Sequence, residues 1–498
     1  MPELPLKRAI LDGIARTVAR LPFVQSATVA GSFTRADCLE GVSDIDTIVI
    51  VDRLDEGRFN AIHEAFRAEL STILRAYDYA LIINATLGPL KFNDARTAVL
   101  HLMPYSAEAH REHVINSPFT CLDWQRSPLW HKQPLSAIYP VFGLQPHHFI
   151  NARRGTRDYL NDFLNRQITY RELSFQSGSY QEIKRQQPMT QRDRHEFGYH
   201  IMRFLMQNVL KLIRRCNDAS DGESLCHAYF AEFPDGAEVF TPFFLDLRAR
   251  KQAGEFRDEL ADLDKRVIAF VEAFERQFRS AFEQQATRHL VFRHAPTECN
   301  SGIGDATVFQ GAIDPPLASD AAHDLGPLAD AVRLLSPRHA FASPLRRSID
   351  SVHLLAGDFT QMRIDERLRE ISYGDCEGRT LAEARRVHPD LFAAWQRGED
   401  PAFPGGGENS AAVLERLLDF AHEHWRPSGA STVACTHNVV LRCLVGHLMG
   451  VPQQEWHRLR IPHLAPIEVI STRFGLFVDL HESVERRLFA DFFHHAKE

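Results

Sequence analysis

The sequence predicts a multi-domain protein of the α/β class with a mainly helical middle region. The chain has 498 residues, which is more than one ordinary hydrophobic core organises. Strand-like and helix-like patterns alternate near both ends of the chain, whereas the middle shows long stretches of helical periodicity. These patterns place an α/β domain, a helical domain and a second α/β domain at residues 1–110, 111–287 and 288–498.

The first α/β domain is indicated by short apolar runs that alternate with amphipathic segments. The predicted order is a helix at 8–20, a strand at 26–30, a Gly-Ser turn, a strand at 45–51, a helix at 55–76 and two further apolar runs, YALIINATLG and TAVLHLMPY. Segments of these lengths are typical of a small α/β unit.

Helical periodicity marks the middle domain, and strands return after it. Two amphipathic stretches, HEFGYHIMRFLMQNVLKLIRRC and ELADLDKRVIAFVEAFERQFRSAFEQQ, predict helices that pack on one another. Near residue 289, RHLVFRHA restarts a strand-and-loop rhythm, and further strands are predicted at 339–343, at 431–437 and within IEVISTRFGLFVDL. The stretches FQGAIDPPLASDAAHDLG and RGEDPAFPGGGENS are predicted to be loops.

Composition and charge argue against several classes of partner. The net charge of -8 offers no general attraction to nucleic acid or anionic lipid, so neither is an expected partner. No apolar run approaches the roughly 18 residues that span a bilayer. The eight cysteines lack CxxC pairing and fit a reducing compartment, so a cytoplasmic location is expected.

Two aspartates at the start of an apolar strand are the first chemical signal. Asp44 and Asp46 are two residues apart, so on a strand they project to the same side with their carboxylates close together. Oxygen ligands of this kind suit Mg²⁺, and a preceding Gly31-Ser32 turn can bring backbone N–H groups against phosphate. The alternative is that Asp44 caps a turn and Asp46 faces solvent.

The whole pattern, G-S-x(11)-D-x-D on a strand preceded by a helix, resembles the DNA polymerase β-type nucleotidyltransferase superfamily over residues 8–105. The resemblance implies that fold for the first domain. It also implies transfer of a nucleoside monophosphate from an NTP to an acceptor hydroxyl or phosphate. Gly31 and Ser32 would then contact the triphosphate, and Asp44 and Asp46 would be ligands of Mg²⁺.

The family normally has a third carboxylate on a neighbouring strand. Asp78 in AYDYALIIN is the nearest candidate, and the strand TAVLHLMPY offers His101 instead. Arg35 and Lys91 are candidates for neutralising phosphate, with solvated loop cations as the alternative. The domain is thus either a transferase or a nucleotide-binding domain without catalysis.

Two histidines that end predicted strands are the second chemical signal. His294 follows the run HLVFR, and His437 follows STVACT about 140 residues later. Catalytic groups of open α/β sheets collect at the carboxyl ends of strands, so the two imidazoles are expected to meet there.

Five segments around these histidines resemble the signature of the histidine phosphatase, or phosphoglycerate mutase-like, superfamily. The segments are RHAPTECN, SPLRRSIDS, LREISYGDCEGRTLAE, PGGGENS and THNVVLR, in that order. The resemblance covers residues 288 to about 480 and implies a three-layer α/β/α fold. Ala295 and Asn438 stand where the family usually has glycine, and Ala295 is expected to be tolerated.

The resemblance also implies roles for individual residues. His294 would attack phosphorus and carry a phosphohistidine, and Glu370 would be the general acid. Stabilisation of the transferring phosphoryl group would come from Arg293, Arg347 and His437. Asn300 and Glu377 are further candidates. The implied chemistry requires no metal, and the segment YGDCEG favours hydrolysis over phosphoryl migration.

The prediction is therefore a bifunctional enzyme that combines Mg²⁺-dependent nucleotidyl transfer with phosphomonoester hydrolysis. The expected partners are an NTP and a small phosphorylated metabolite, while the sequence leaves the acceptor and the oligomeric state open. One alternative is a phosphatase regulated by a nucleotide sensor, which a histidine in place of the third carboxylate would support. Another is an RNA-end or tRNA-processing enzyme, against which the acidic net charge counts.

Overall fold

The chain forms two compact units. One consists of Met1–Leu144, His148–Glu275 and Phe493–Glu498, and the other of Gln145–His147 and Arg276–Phe492; we call them the N-terminal and the C-terminal unit. The computed structural model describes residues 3–35, 39, 42, 44–84, 96–176, 179–215, 221–256, 262–300, 308–355, 361–480 and 482–493. The division into three domains stays a prediction.

A five-stranded mixed sheet organises the first part of the N-terminal unit. Its strands are β1 (Val24–Ala30), β2 (Ile45–Val51), β3 (Ala80–Asn84), β4 (Thr97–Ser106) and β5 (Trp130–His131). They lie in the order β3-β4-β2-β1-β5, with β2 and β3 parallel to β4 and with β1 antiparallel to β2 and β5. The register places Asp46 opposite Ala30 on one side and His101 on the other.

Six helices accompany this sheet. They are α1 (Glu3–Ala19), α2 (Ser32–Arg35), α3 (Glu56–Arg75), α4 (Ala107–Asn116), α5 (Pro118–Gln125) and α6 (Leu135–Ile138). Asp55 caps α3 by accepting the N–H of Arg58, and the apolar face of α3, including Phe66, packs in a core with β1, β2 and α1. The helices and strands predicted for residues 8–105 match α1, β1, β2, α3, β3 and β4 to within five residues. The short helix α2, the helices α4 to α6 and the strand β5 were not predicted individually.

Five helices follow in the middle of the chain: α7 (Pro146–Asn165), α8 (Gln191–Arg214), α9 (Gly222–Glu232), α10 (Ala237–Ala253) and α11 (Leu263–Arg279). Between α7 and α8 lies an antiparallel hairpin of β6 (Gln167–Gln176) and β7 (Ser179–Pro188), which the prediction of a helical middle domain did not include. The segment ITYRELSF largely alternates aliphatic or aromatic residues with polar ones, and the sequence Ser-Gly-Ser follows one residue later; this is the hairpin signal that the neighbouring helical periodicity masked.

A six-stranded sheet forms the centre of the C-terminal unit. Its strands are β8 (Thr287–Arg293), β9 (His339–Ala342), β10 (Met362–Ile364), β11 (Thr432–Thr436), β12 (Ile467–Thr472) and β13 (Gly475–Asp479). Their order is β10-β9-β11-β8-β12-β13, and the first four run parallel. Because β8 and β11 are adjacent and parallel, the residues that follow them lie at the same edge of the sheet.

Within the described part of the chain, seven helices accompany this sheet. They are α12 (Gly326–Leu335), α13 (Arg346–His353), α14 (Leu381–Val387), α15 (Pro389–Gln396), α16 (Ser410–His424), α17 (Asn438–Leu448) and α18 (Glu482–Leu488). Phe292 of β8 shares a core with Leu328 and Val332 of α12, whereas the ring of Phe341 in β9 packs against Phe420 of α16. Sheet residues that alternate in direction thus bury helices on opposite sides, which gives three layers.

A bilayer-crossing helix is not found in the described parts of the chain, where no helix is both long and apolar enough.

Candidate functional site

The structure brings His294 and His437 together at the carboxyl edge of the C-terminal sheet. His294 follows β8 and His437 follows β11, and their ring centroids are 5.1 Å apart. The backbone N–H of His294 donates to the carbonyl oxygen of Thr436 at 3.0 Å, which fixes the two strand ends against each other. Both side chains are buried.

His294 is held in one tautomer. Its Nδ1 lies 2.7 Å from the carbonyl oxygen of Ala295, which can only accept a hydrogen bond. The proton is therefore on Nδ1, and the lone pair of Nε2 is left for attack on an electrophile. Burial, reinforced by the charge of Arg347, holds the pKa of His294 well below its usual 6.5, so the ring is neutral at pH 7.

His437 is oriented by a serine. Its Nε2 lies 2.8 Å from Oγ of Ser343, which also accepts the backbone N–H of Leu345. The hydroxyl proton of Ser343 can then donate to Nε2, which places the ring proton on Nδ1. Burial, followed by the neighbouring His294 and Arg347, lowers the pKa of His437 well below 6.5.

Two guanidinium groups approach the histidines. Nη1 of Arg293 donates to the carbonyl oxygen of Ile461 at 3.0 Å, and burial lowers the pKa of Arg293 to about 10. Arg347 is 1% exposed, and its guanidinium donates to the carbonyl oxygens of Ile313 and Gly311 at 2.7 and 3.1 Å. Both cations are thus fixed by backbone oxygens before any substrate arrives.

Glu370 is the buried carboxyl of the site. One of its oxygens accepts the backbone N–H of Ile371 at 3.0 Å and that of Val439 at 3.3 Å. Burial raises the pKa of Glu370, although these hydrogen bonds and the neighbouring arginines oppose the shift. A carboxyl whose pKa is raised keeps its proton to higher pH, as a general acid requires.

Three buried nitrogens in this site have no hydrogen-bond partner among the described residues. They are Nε of Arg293, Nε of Arg347 and Nδ1 of His437. Buried N–H groups in proteins ordinarily have acceptors. Three such groups at one sheet edge, beside a neutral imidazole, are suited to the oxygens of a phosphoryl group.

Sequence reasoning missed residues that position this site. Asp314 contacts Nη1 of Arg347 at 3.2 Å and also accepts backbone N–H groups at the start of α13. Nδ1 of His463 lies 2.7 Å from the carbonyl oxygen of His294, and its ring centroid is 5.4 Å from that of His294. An Asp-Pro pair in a loop, as at Asp314, is a turn and capping signal; His463 lies about 170 residues from His294, and no local pattern indicates it.

The other predicted residues of this unit have structural surroundings. Glu377 accepts the N–H groups of Gly311, Ala312 and Tyr373 and so joins two loops. Ala295 is fully buried in the core and is not among the residues with positive φ, so its backbone does not need glycine. Asn300 ends a short 3₁₀ turn, and its side chain lies outside the described residues.

A second cluster lies in the N-terminal unit. Asp44, Asp46 and His101 are all half-buried, and one potential ligand atom of each lies within 4.8 Å of the others. Nδ1 of His101 is 2.8 Å from Oδ1 of Asp46. The position opposite Asp46 on the neighbouring strand is thus occupied by an imidazole rather than by a third carboxylate.

The remaining residues predicted for this unit divide into three groups. Gly31 has φ of 74°, Ser32 begins α2, and the backbone of Gly31 adjoins the carboxylate of Asp46. The side chain of Asp78, in contrast, is 91% exposed and pairs with Arg96. Asp78 precedes β3, whereas the residue of β3 in register with His101 is Asn84 at the other end of the strand, so Asp78 is not part of the cluster. Lys91 and the side chain of Arg35 lie outside the described residues.

The comparisons with known proteins concern the C-terminal unit. The family profile of the histidine phosphatase superfamily (branch 1) matches residues 289–478. A glucosyl-3-phosphoglycerate phosphatase of Mycolicibacterium vanbaalenii is 30% identical over 178 residues, which is 34% of this chain and 77% of that protein. A phosphoserine phosphatase 1 of Hydrogenobacter thermophilus is 27% identical over 32% of this chain and 76% of its own length.

Solved structures resemble the same part of the chain. The mycobacterial glucosyl-3-phosphoglycerate phosphatase is 25% identical, with a TM-score of 0.34, and covers 40% of this chain and 99% of its own. The family match leaves residues 1–288 uncovered.

Proposed function

We propose that this chain, which belongs through residues 289–478 to the histidine phosphatase superfamily, hydrolyses small phosphomonoesters through a phosphohistidine on His294. Phosphatase activity of the C-terminal region is supported by the family and by the relative from Mycolicibacterium. The observation that carries the residue-level proposal is the set of buried, unpartnered nitrogens of Arg293, Arg347 and His437 around the neutral ring of His294.

The proposed reaction has two steps. Nε2 of His294 attacks phosphorus while Glu370 gives its proton to the leaving oxygen, so that an alcohol departs and a P–N bond forms. Water then attacks phosphorus, Glu370 takes its proton, and the P–N bond breaks to release phosphate and neutral His294. The fixed nitrogen donors stabilise the equatorial oxygens in both steps.

The substrate proposal is a small phosphorylated metabolite. The similar proteins are named for glucosyl-3-phosphoglycerate and phosphoserine, and both of these compounds carry a carboxylate near the phosphate. Arg442 offers a further cation for the carboxylate of such a substrate. Its charge acts on Arg293, and Glu370 acts on it in turn. We therefore propose phosphorylated hydroxy or amino acids and their glycosides as the first compounds to assay.

The test is to trap the intermediate. The protein is mixed with p-nitrophenyl phosphate, quenched in alkali, in which phosphohistidine is stable, and digested for mass spectrometry. The expected result is phosphate on the peptide that contains His294 and none in His294→Asn. Turnover by His294→Asn at the wild-type rate, or phosphate on another histidine, would overturn the proposal.

A second function is proposed for the N-terminal unit: binding of an NTP with a divalent cation and nucleotidyl transfer. The observation that favours it is the grouping of Asp44, Asp46 and His101 beside the Gly31 turn. Two carboxylates fit a divalent cation, which would neutralise the triphosphate and activate the acceptor. An imidazole in place of the third carboxylate also favours the alternative of a nucleotide sensor without catalysis.

Pyrophosphate release decides between these alternatives. Each NTP is incubated with the protein, a divalent cation and an extract of small metabolites, and the Asp44→Ala/Asp46→Ala variant serves as control. Transfer predicts pyrophosphate release that the variant loses. A sensor predicts no release but a phosphatase rate that changes on addition of the NTP.

A further inference from the structure

We propose that Asp44, Asp46 and His101 bind a first-row transition-metal dication such as Mn²⁺ in preference to Mg²⁺. This inference rests on the cation-dependent function proposed for the N-terminal unit and names the cation. It replaces the Mg²⁺ that the two aspartates alone predict.

The backbone fixes the three donors on one side of the sheet. β2 and β4 are parallel neighbours, and the register sets Asp46 directly opposite His101. Asp44 immediately precedes β2, and its carboxylate is grouped with the other two donors. Their relative positions therefore depend on a strand ladder and not on a surface loop.

Gly31 maintains the space around Asp46. A Cβ built on Gly31 would lie 2.2 Å from Oδ2 of Asp46, and the φ of 74° is unfavourable for any other L-residue. The carboxylate of Asp46 is therefore enclosed between the turn on one side and the imidazole of His101, at 2.8 Å, on the other. This enclosure would be filled by any side chain at position 31.

The donor set distinguishes between cations. Mg²⁺ prefers a near-ideal octahedron of oxygen ligands, and an imidazole removes one oxygen from the set that two aspartates begin. Mn²⁺ and the later first-row dications accept carboxylate oxygen and imidazole nitrogen together. Two carboxylates and one imidazole also retain net negative charge when the imidazole is neutral, so the set attracts a cation.

The experiment measures binding and ligand identity on the full-length protein. Calorimetry with Mn²⁺ alone and Mg²⁺ alone gives the affinities, and pulsed EPR of the bound Mn²⁺ detects a directly ligated ¹⁴N. The expected preference of the wild type for Mn²⁺ is at least about tenfold. His101→Asp should reduce that preference by about tenfold and remove the ¹⁴N signal while retaining a bound cation.

Three further variants make the result specific. His227→Asp places the same substitution at an exposed histidine of α9 and should leave affinity and ¹⁴N signal unchanged. Asp44→Asn/Asp46→Asn should abolish the Mn²⁺ signal, which locates it. His101→Asn, of similar size to histidine, should lose the ¹⁴N signal even if His101→Asp folds poorly.

Two outcomes would overturn the proposal: equal affinity for Mg²⁺ and Mn²⁺ in the wild type, or a ¹⁴N signal that persists without His101. Either outcome can be distinguished from failure of the nucleotidyl-transfer function proposed for the N-terminal unit. Pyrophosphate release with a Mg²⁺-preferring site would retain the transferase and remove this inference, whereas a Mn²⁺ site without pyrophosphate release would do the reverse.

Discussion

The two α/β units each place a chemical cluster beside strand ends, but the clusters have opposite polarity. In the C-terminal unit, Arg293, Arg347 and His437 present nitrogen donors around a neutral imidazole, and backbone carbonyls hold the arginines in place. In the N-terminal unit, Asp44 and Asp46 present oxygen acceptors beside His101. Nitrogen donors suit an anion, whereas carboxylate oxygens suit a cation, so the functions proposed for the two units need different tests.

The largest expected effect is a reciprocal loss of function in two variants. His294→Ala should lower phosphatase activity on p-nitrophenyl phosphate by at least about a thousandfold, because it removes the nucleophile, and should leave Mn²⁺ binding intact. Asp44→Ala/Asp46→Ala should abolish Mn²⁺ binding and change the phosphatase rate by less than about twofold. Steady-state assays and calorimetry measure the two functions separately.

His353→Ala is the matched control, because His353 is an exposed histidine at the end of α13 in the same unit. Loss of both functions in either variant would show that the comparison of two independent sites is wrong.

The next largest effect is expected for Glu370, the proposed general acid. Glu370→Gln should slow an alkyl phosphomonoester by about a hundredfold, because that leaving group needs a proton. p-Nitrophenolate leaves without one, so the same variant should release a burst of one nitrophenolate per active site and then turn over slowly. Rapid mixing measures the burst, and equal slowing of both substrates without a burst would contradict the assigned role.

A smaller effect on substrate affinity is expected for Asp314, which holds Arg347 in position. Asp314 pairs with Arg347 and caps α13, so Asp314→Asn should raise KM and weaken inhibition by inorganic phosphate by about tenfold. kcat should change less than KM if Asp314 acts through the position of Arg347. Asp330→Asn, at an exposed aspartate of α12 that pairs with Arg333, is the control and should leave both constants unchanged.

In the N-terminal unit, the corresponding supporting residue is Gly31. Gly31→Ala should weaken Mn²⁺ binding by about tenfold and cost about 1–2 kcal/mol of stability, because the methyl group meets Asp46 and the backbone is left-handed. Gly254→Ala isolates the backbone contribution, since Gly254 has φ of 66° and a Cβ added there would meet no atom within 4 Å. Calorimetry and urea unfolding of both variants check this, and only Gly31→Ala should alter metal affinity.

The smallest effect is shared by both units and concerns acid stability. Burial lowers the pKa of His289 to about 3, and burial, with the charge of His113, lowers that of His110 to about 4. The unfolded chain takes up these protons below pH 6.5 and the folded chain does not, so stability falls as pH falls. From pH 7 to 5.5 each residue should remove about 1 kcal/mol, measurable by urea unfolding, and His289→Gln should reduce the slope.

The two units also differ in what their sequence could reveal. The family signature of the C-terminal unit is distributed over five separated segments, and the family profile matches the same part of the chain. The N-terminal prediction depended on one local pattern, G-S-x(11)-D-x-D, whose partner across the sheet is set by strand register. Nothing local in TAVLHLMPY shows that His101 lies opposite Asp46, because register is a tertiary property.

Local sequence likewise does not show which residues position the histidines and arginines of the C-terminal site. Ser343 and Asp314 contact His437 and Arg347 only after loops from distant segments meet. The hairpin β6–β7 was missed for a related reason, since its strands pair with each other inside a region of strong helical periodicity. Local patterns therefore predicted most strands of the two large sheets but not β5, β6 and β7, whereas cross-strand partners required the folded chain.

The adjacency of β8 and β11 has a consequence for synthesis on the ribosome. The chain must emerge beyond His437 before β11 and the histidine that follows it can take their place beside β8, about 140 residues after His294 has been translated. If His294 acts as proposed, an incomplete nascent polypeptide that lacks His437 has no complete centre with which to attack phosphate esters. The proposed activity would therefore begin only when β11, the last of the four parallel strands, is in place.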